Sequence, residues 1–206
     1  RKLPETPVLT AAMANAGMQH LTLNVQDHTV RVNTDLELDF GGIAKGYAAD
    51  LALASLRQDG IPIALVDLGG DLAVGDPPPR AVGWNIAIAP LQKSDPISRF
   101  ISVSNCGLAT SGDTEQYVDI EGVRYSHILD PQTGLGLQRR SSVTVFAKNA
   151  TQADALASAY SVMSLADSRA HASELAFKAG FLVQEKVDGE MVESIAGDFP
   201  QIRIKK

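Results

Sequence analysis

The residues best placed to bind a phosphate group lie in the stretch Asp39–Asp50, where a lysine follows closely after a glycine pair. Gly41 and Gly42 follow an alternating run, Leu36–Phe40, and Lys45 falls in the first turn of a predicted helix. Glycines let a ligand approach the backbone, a helix N-terminus offers unpaired N–H groups, and the lysine adds a full positive charge. The spacing fits an anion-binding turn, and it fits equally well a tight turn that binds nothing.

Two common nucleotide-binding motifs are absent from the chain. There is no G-x-x-x-x-G-K-[ST] loop, and no G-x-G-x-x-G sequence follows a predicted strand. If the stretch before Lys45 binds an anion, it does so by neither of these arrangements.

A second pair of candidate residues, Asp154 and Ser158, lies four positions apart in a predicted helix over residues 151–165. Side chains at this spacing share one helix face. A carboxylate and a hydroxyl are hard oxygen ligands, suited to Mg²⁺ that is held jointly with substrate phosphates. The alternative is a capping box that begins at Thr151, with Asp154 in place of the usual glutamate and bound only to its own helix.

His127 is the best candidate for a general base. It ends a predicted strand and precedes a rigid turn over Asp130–Gly134, so its imidazole could be aimed at a substrate near neutral pH. The alternative is a half-buried histidine of a sheet that is bonded only to backbone. A further small and polar stretch, Asn105–Asp113, is predicted to lie between strands, as a binding loop or as an ordinary turn.

Hydrophobic periodicity predicts the elements that must position these residues. Predicted helices cover residues 10–17, 44–58, 151–165 and 168–179. Predicted strands cover residues 21–25, 29–32, 36–40, 63–68, 72–74, 84–89, 100–103, 116–120, 123–129 and 142–147, and a hairpin is predicted around Asp188 and Gly189. The apolar stripe of the helix over residues 44–58 is predicted to contain Tyr47, Leu51 and Ala54 or Ser55.

Short strands outnumber helices in this pattern, and two of the helices are late and adjacent. The fold class predicted is therefore α+β, with mixed, largely antiparallel sheets and a few helices. A chain of 206 residues is long enough for one domain with a full core.

Composition narrows the classes of partner. The formal net charge of -6 and the pI near 5.2 argue against a nucleic-acid or anionic-membrane partner, and mean that an anionic ligand needs local positive charge. The single cysteine, Cys106, excludes an intrachain disulfide. No apolar run approaches the length of a transmembrane helix.

Taken together, four motifs resemble the ApbE family, the flavin transferases that move FMN from FAD onto a threonine of a target protein. The motifs occur in the order and spacing of that family, at residues 39–47, 109–113, 126–134 and 153–158. A glycine pair within residues 66–71 is similar to another family segment. The resemblance extends from about Leu21 to Ile195.

The resemblance implies roles for seven residues, divided among a metal site, an FAD site and a base. It implies Mg²⁺ bound by the backbone carbonyl of Gly42 and the side chains of Asp154 and Ser158, FAD contacted by Asp39, Lys45 and Ile128, and His127 as the base that activates the acceptor hydroxyl. Relatives usually have threonine where this chain has Ser158, so we expect the metal to be bound more loosely here.

The implied activity is Mg²⁺-dependent transfer of FMN from FAD to a threonine hydroxyl of an acceptor protein, with release of AMP. Two alternatives use the same site: an FAD pyrophosphatase, and a flavin-binding homologue without turnover. A fragment that folds without any ligand is a third. The resemblance also implies a periplasmic location, or a membrane anchor that faces the periplasm, and no nucleic-acid partner. We expect residues 1–206 to form a single ApbE-like domain that lacks the family's N-terminal segment.

Overall fold

The computed structural model describes residues 2–92, 94–112 and 116–204. The described helices are α1 (Thr6–Asn15), α2 (Ala44–Gln58), α3 (Ala150–Val162) and α4 (Leu165–Glu174), with a short 3-10 turn at Met18–His20. The strands are β1 (Leu21–Asn24), β2 (Thr29–Val32), β3 (Leu65–Leu68), β4 (Asp71–Val74), β5 (Trp84–Ala87), β6 (Arg99–Val103), β7 (Cys106–Gly112), β8 (Tyr117–Ile120), β9 (Val123–Ser126), β10 (Ser141–Ala147), β11 (Gly180–Val187), β12 (Glu190–Gly197) and β13 (Arg203–Ile204).

A six-stranded antiparallel sheet with the order β12-β11-β10-β7-β4-β3 forms the centre of the fold. Its two faces pack against different partners because neighbouring side chains of a strand point to opposite sides. Phe181 packs with α3 on one face, whereas Leu182 packs with the smaller sheet β13-β6-β5 on the other, and both are fully buried. The α+β class with largely antiparallel sheets is confirmed.

Helices α2 and α3 approach each other closely through small residues. Gly46, Ala49 and Leu53 are the buried residues of α2, and a Cβ added to Gly46 would lie 2.8 Å from Cβ of Asp154 on α3. The bounds predicted for α2 are confirmed, but its predicted apolar stripe is wrong. Tyr47 is 56% exposed, because close packing of the two helices selects the face with the smallest side chains instead.

The strand predicted over Leu36–Phe40 is also wrong. The segment has no strand partner in the described part of the chain, and Phe40 is 61% exposed. The nearest strands in the sequence, β1 and β2, pair with each other and not with this segment. Alternation of apolar and polar residues therefore does not suffice to predict a strand, because a strand also needs a neighbour to which its backbone is hydrogen-bonded.

The stretch Asn105–Asp113 contains a central strand, not a binding loop or a turn, although Asp113 lies outside the described residues. Strand β7 pairs with β10 and β4, and its first four residues are buried. Its small residues are needed for packing, because a Cβ on Gly107 would collide with the backbone of Asn149. A run of small polar residues is thus compatible with a strand that is covered on both faces.

Several other predicted elements are present with shifted bounds. The hairpin predicted around Asp188 and Gly189 is confirmed as β11–β12, and the strands predicted on either side of residues 26–28 and 121–122 form the pairs β1–β2 and β8–β9. The strand predicted over residues 63–68 is a half-exposed edge strand, β3. Helix α1 begins and ends earlier than predicted, and α4 covers Leu165–Glu174 instead of residues 168–179, because Ser164 caps it and accepts a hydrogen bond from the Asp167 N–H.

None of the described helices has both the length and the apolar character needed to cross a membrane.

Candidate functional site

All seven residues that the sequence analysis selected line a single cavity of about 600 Å³. They are Asp39, Gly42, Lys45, His127, Ile128, Asp154 and Ser158. The cavity lies where the N-terminus of α2, the inner face of α3, the end of β7 and the residues after β9 meet. Segments that are more than a hundred positions apart in the sequence therefore contribute to one wall.

The turn before α2 is held by the side chain of Asp39. Its Oδ1 accepts a hydrogen bond from the N–H of Gly41 at 2.6 Å, and the N–H groups of Ile43 and Ala44 both donate to the carbonyl of Phe40. The N-cap residue of α2, Ile43, makes no side-chain capping bond, and the N–H of Gly46 in the first turn is bound by Asp154 from α3. Lys45 in this turn lines the cavity, so the positive end of the helix dipole favours an anion there.

Asp154 links α3 to the start of α2. Its Oδ2 accepts a hydrogen bond from the N–H of Gly46 at 2.9 Å, and the residue is only 3% exposed. The capping-box interpretation of Asp154 is wrong, because the N-cap of α3 is Asn149, whose side chain accepts from the Gln152 N–H. The bond to Gly46 uses only one of the two carboxylate oxygens of Asp154.

The start of α3 is fixed from the neighbouring helix. The carboxylate of Asp50, on α2, accepts hydrogen bonds from the N–H groups of Ala150 and Thr151 and from the Thr151 hydroxyl. Thr151 is thus not the cap that the sequence suggested. These bonds and the Gly46–Asp154 bond together set the position of α3 against the glycine turn.

Ser158 lies one turn beyond Asp154 and meets both the glycine turn and the sheet. Its Oγ is 3.3 Å from Oγ of Ser111 on β7. A Cβ added to Gly42 would lie 3.1 Å from the same Ser158 oxygen, so the backbone of Gly42 passes directly over it. Gly42 is therefore adjacent to Ser158, and Asp154 and Ser158 both line the cavity from one face of α3, as their spacing predicted.

His127 follows the last residue of β9 and is exposed at the cavity. Its Nδ1 lies 3.0 Å from the carbonyl oxygen of Gln116. A carbonyl only accepts, so this bond requires a proton on Nδ1 and leaves Nε2 of the neutral ring as a base. The backbone bond anticipated for a sheet histidine is present, and it orients the ring without occupying the second nitrogen.

Asp71 is the main residue of this region that the sequence analysis did not select. It is 1% exposed, and its carboxylate forms an ion pair with the Lys45 ammonium group. Burial raises the pKa of the Asp71 carboxyl, the Lys45 hydrogen bond lowers it, and the nearby charge of Asp154 raises it further. A charged residue in an otherwise apolar strand, directly after a glycine turn, was the available signal.

The donor set suits a magnesium ion that is shared with a ligand. In the described part of the chain, no group of three or more His, Cys, Asp or Glu side chains is arranged to hold a metal. The protein would instead offer one carboxylate, one hydroxyl and one backbone carbonyl. Such incomplete sets of hard oxygen atoms are typical of Mg²⁺ sites that are completed by phosphates and water.

Comparison with known proteins identifies the family to which this chain is similar. The model of the ApbE family matches residues 1–181 of the chain. The FAD:protein FMN transferase of Escherichia coli K12 is 34% identical over 159 residues, which are 75% of this chain and 45% of that protein. The chain therefore spans less than half the length of this relative.

Solved structures agree with the sequence comparison. The flavin transferase ApbE from Vibrio cholerae superimposes with a TM-score of 0.81 at 32% identity, covering 95% of this chain and 62% of that one. The flavinyl transferase ApbE from Pseudomonas stutzeri, in its apo form, gives a TM-score of 0.77 at 31% identity, covering 95% of this chain and 60% of that one. From the motifs, the fold and these matches, we conclude that the chain belongs to the ApbE family.

Proposed function

We propose that the protein is a Mg²⁺-dependent FAD:protein FMN transferase that moves FMN from FAD to a threonine hydroxyl of an acceptor protein and releases AMP. The observation that carries the proposal is the convergence of Gly42, Lys45, His127, Asp154 and Ser158 on one cavity. The Escherichia coli relative named FAD:protein FMN transferase and the Vibrio cholerae structure named flavin transferase support the transfer of a flavin group.

The residues that would hold Mg²⁺ are Asp154, Ser158 and Gly42, through a carboxylate, a hydroxyl and a backbone carbonyl oxygen. When bound, the ion would neutralise negative charge on the pyrophosphate oxygens. Asp154 suits this role because one of its oxygens is held by the Gly46 N–H while the residue still lines the cavity.

In the transfer, the threonine oxygen attacks the phosphorus of the FMN half of FAD. A bond forms between that oxygen and the phosphorus, the bond from the phosphorus to the bridging oxygen breaks, and AMP leaves with the bridging oxygen. Lys45 and the N-terminus of α2 stabilise the charge that develops on the phosphate oxygens. The proton of the attacking hydroxyl goes to Nε2 of His127, which is the basic nitrogen of the neutral ring when Nδ1 donates to Gln116.

Hydrolysis of FAD is a second candidate function at the same site. His127 is exposed to solvent, so a water molecule can occupy the position of the acceptor hydroxyl. The products are then FMN and AMP, with no modified protein. The balance between transfer and hydrolysis depends on whether the acceptor excludes water when it docks.

His127 provides the test of this mechanism. In an assay with FAD, Mg²⁺ and an acceptor domain, His127→Ala is expected to slow flavin transfer by about 100-fold or more, the usual scale for a lost general base. FAD affinity, followed by flavin fluorescence, is expected to change little. His20→Ala is the matched control, because His20 is also bound to a backbone carbonyl, that of Ala14, but does not line the cavity. Equal transfer rates for the His127→Ala and wild-type proteins would rule out this role for the histidine.

A further inference from the structure

The ion pair between Lys45 and Asp71 has one partner at the cavity wall and one buried behind it. The Lys45 side chain is 50% exposed and lines the cavity, whereas the Asp71 side chain is 2% exposed and does not. We propose that Asp71 is a positioning residue, which holds the Lys45 ammonium group where it meets the leaving phosphate. This inference rests on the proposed function, because that function requires a positive charge at the pyrophosphate.

The backbone around Asp71 is rigid. Asp71 begins β4 and is paired with Leu68 across a two-residue turn formed by Gly69 and Gly70. Both glycines have positive φ, 67° and 96°, a conformation that fits a tight hairpin turn. Oδ1 of Asp67 accepts a hydrogen bond from the Gly70 N–H at 2.8 Å, which fixes the turn further. The backbone that carries the Asp71 side chain is thus held in place independently of Lys45.

Lys45, in contrast, has little else to fix its position. Its side chain is a flexible four-carbon stem with a point charge at its end. It lies in the first turn of α2, where the positive end of the helix dipole repels a cation. In the described ranges, Asp71 is the one carboxylate within ion-pair distance of the Lys45 ammonium group. Without Asp71, the ammonium group would turn toward solvent.

The electrostatics of Asp71 favour a role in the site over a role in stability. Burial raises the pKa of Asp71 from 3.8 despite the ion pair, and the nearby charge of Asp154 acts in the same direction. A carboxyl group whose pKa is raised by folding does not lower the free energy of unfolding at a pH below its unfolded pKa. As the pH rises above that value, the group lowers the free energy of unfolding. Functional sites commonly contain groups that lower the stability of the fold. The Asp71 charge, which lowers stability at neutral pH, fits such a site.

A double-mutant cycle with Lys45→Met and Asp71→Asn separates positioning from a general structural role. Asp71→Asn keeps the shape but removes the charge, so its melting temperature is expected to equal or exceed that of the wild type. Its kcat is expected to fall by about 10- to 100-fold, the cost typical of a misplaced catalytic group. Its Kd for FAD is expected to change by a smaller factor than kcat, because the lysine keeps its charge and the lost negative charge offsets its displacement.

The Lys45→Met background is the decisive part of the cycle. Lys45→Met alone leaves a buried carboxylate without its cation, so its melting temperature is expected to drop, and adding Asp71→Asn is expected to restore it. In that background Asp71→Asn is expected to cause no further loss of kcat, because it acts only through the lysine. Independent effects of the two substitutions on kcat would overturn the proposal.

The control is Glu193→Gln, which removes the charge from the exposed ion pair with Arg99, outside the cavity. It is expected to leave kcat unchanged. If the wild type transfers flavin and Asp71→Asn keeps the wild-type kcat, the inference fails alone. If the wild type transfers no flavin to any acceptor, the proposed function has failed, and this role of Asp71 fails with it.

Discussion

Two polar side chains at the cavity each bind the protein through one atom, and in the proposed function each offers its second polar atom to a ligand. Asp154 binds the Gly46 N–H through Oδ2, and His127 binds the Gln116 carbonyl through Nδ1. In each case the bond fixes the side chain before a ligand arrives. Such preorganisation lowers the cost of binding and of reaction, since the groups need not be ordered in the transition state.

Asp154→Asn tests the metal-binding role at this scale. The amide oxygen of the substituted side chain would still accept from the Gly46 N–H, so little stability should be lost. The affinity of the FAD complex for Mg²⁺ is expected to fall by at least about tenfold, since even outer-shell partners of metal ligands are worth that much. Titration of Mg²⁺ with flavin fluorescence measures this affinity. Asp167→Asn, on α4, is the control, and an unchanged Mg²⁺ affinity in Asp154→Asn would contradict the assignment.

Cys106 gives a prediction about pH. Burial raises the pKa of its thiol from 9.0 to about 12. The folded protein therefore keeps the proton to a higher pH than the unfolded chain, and stability is lost as the pH rises from 9.0 toward about 12. The free energy of unfolding should decrease more steeply in this range for wild type than for Cys106→Ala, by up to roughly 1.4 kcal/mol per pH unit. Parallel pH profiles for the two proteins would show that the thiol is not protected.

At the scale of elements, features that depend on a few neighbouring residues, such as the bounds of a helix or a hairpin turn, were predicted correctly from the sequence. The bounds of α2 follow from its periodicity and from Gly60, whose φ of 78° suits the end of a helix. The hairpin β11–β12 follows from Asp188 and Gly189, which both have positive φ. These features are encoded within a few neighbouring residues, so one sequence suffices to find them.

The predictions that were wrong at this scale concern features that depend on contacts between distant segments. The run Leu36–Phe40 alternates as a strand does, but no described segment pairs with it. The face of α2 that packs is the one with Gly46 and Ala49, not the one with Tyr47, because α3 approaches too closely for larger side chains. Periodicity shows that a helix has faces, but it does not show how near the neighbouring helix lies.

Gly46→Ala tests whether this close approach positions the site. Alanine in place of glycine within a helix normally stabilises it by about 1 kcal/mol. Here the new Cβ would meet the Ala150 carbonyl and the side chain of Asp154, so we expect destabilisation by about 1–3 kcal/mol and weaker FAD binding. Denaturant unfolding measures the change. Ser55→Ala, on the exposed part of α2, should stay within about 0.5 kcal/mol of wild type, and a stabilised Gly46→Ala protein would contradict the packing argument.

At the scale of the whole molecule, the sequence motifs identified residues that the fold brings to one cavity. Asp71 and Ser111 were not selected, because their importance lies in contacts with Lys45 and Ser158 from other segments. Burial and pairing of this kind cannot be read from spacing along the chain. The roles of the seven selected residues in binding and catalysis remain predictions.

The charge of the whole molecule makes the local arrangement necessary. With a formal net charge of -6, the protein as a whole repels an anionic dinucleotide. Under the proposed function, the cavity would compensate through Lys45, the N-terminus of α2 and the proposed cation. We therefore expect FAD binding to depend on Mg²⁺ and to weaken when Lys45 loses its charge.

The most direct measurement is the mass of an acceptor protein after incubation with this protein and FAD. The account predicts that the acceptor gains one FMN phosphoester on a threonine and that an equal amount of AMP appears, provided that Mg²⁺ is present. An excess of chelator, or replacement of the acceptor threonine by alanine, should abolish the gain. An acceptor of unchanged mass, with FAD intact or converted to free FMN and AMP, would contradict the transferase assignment.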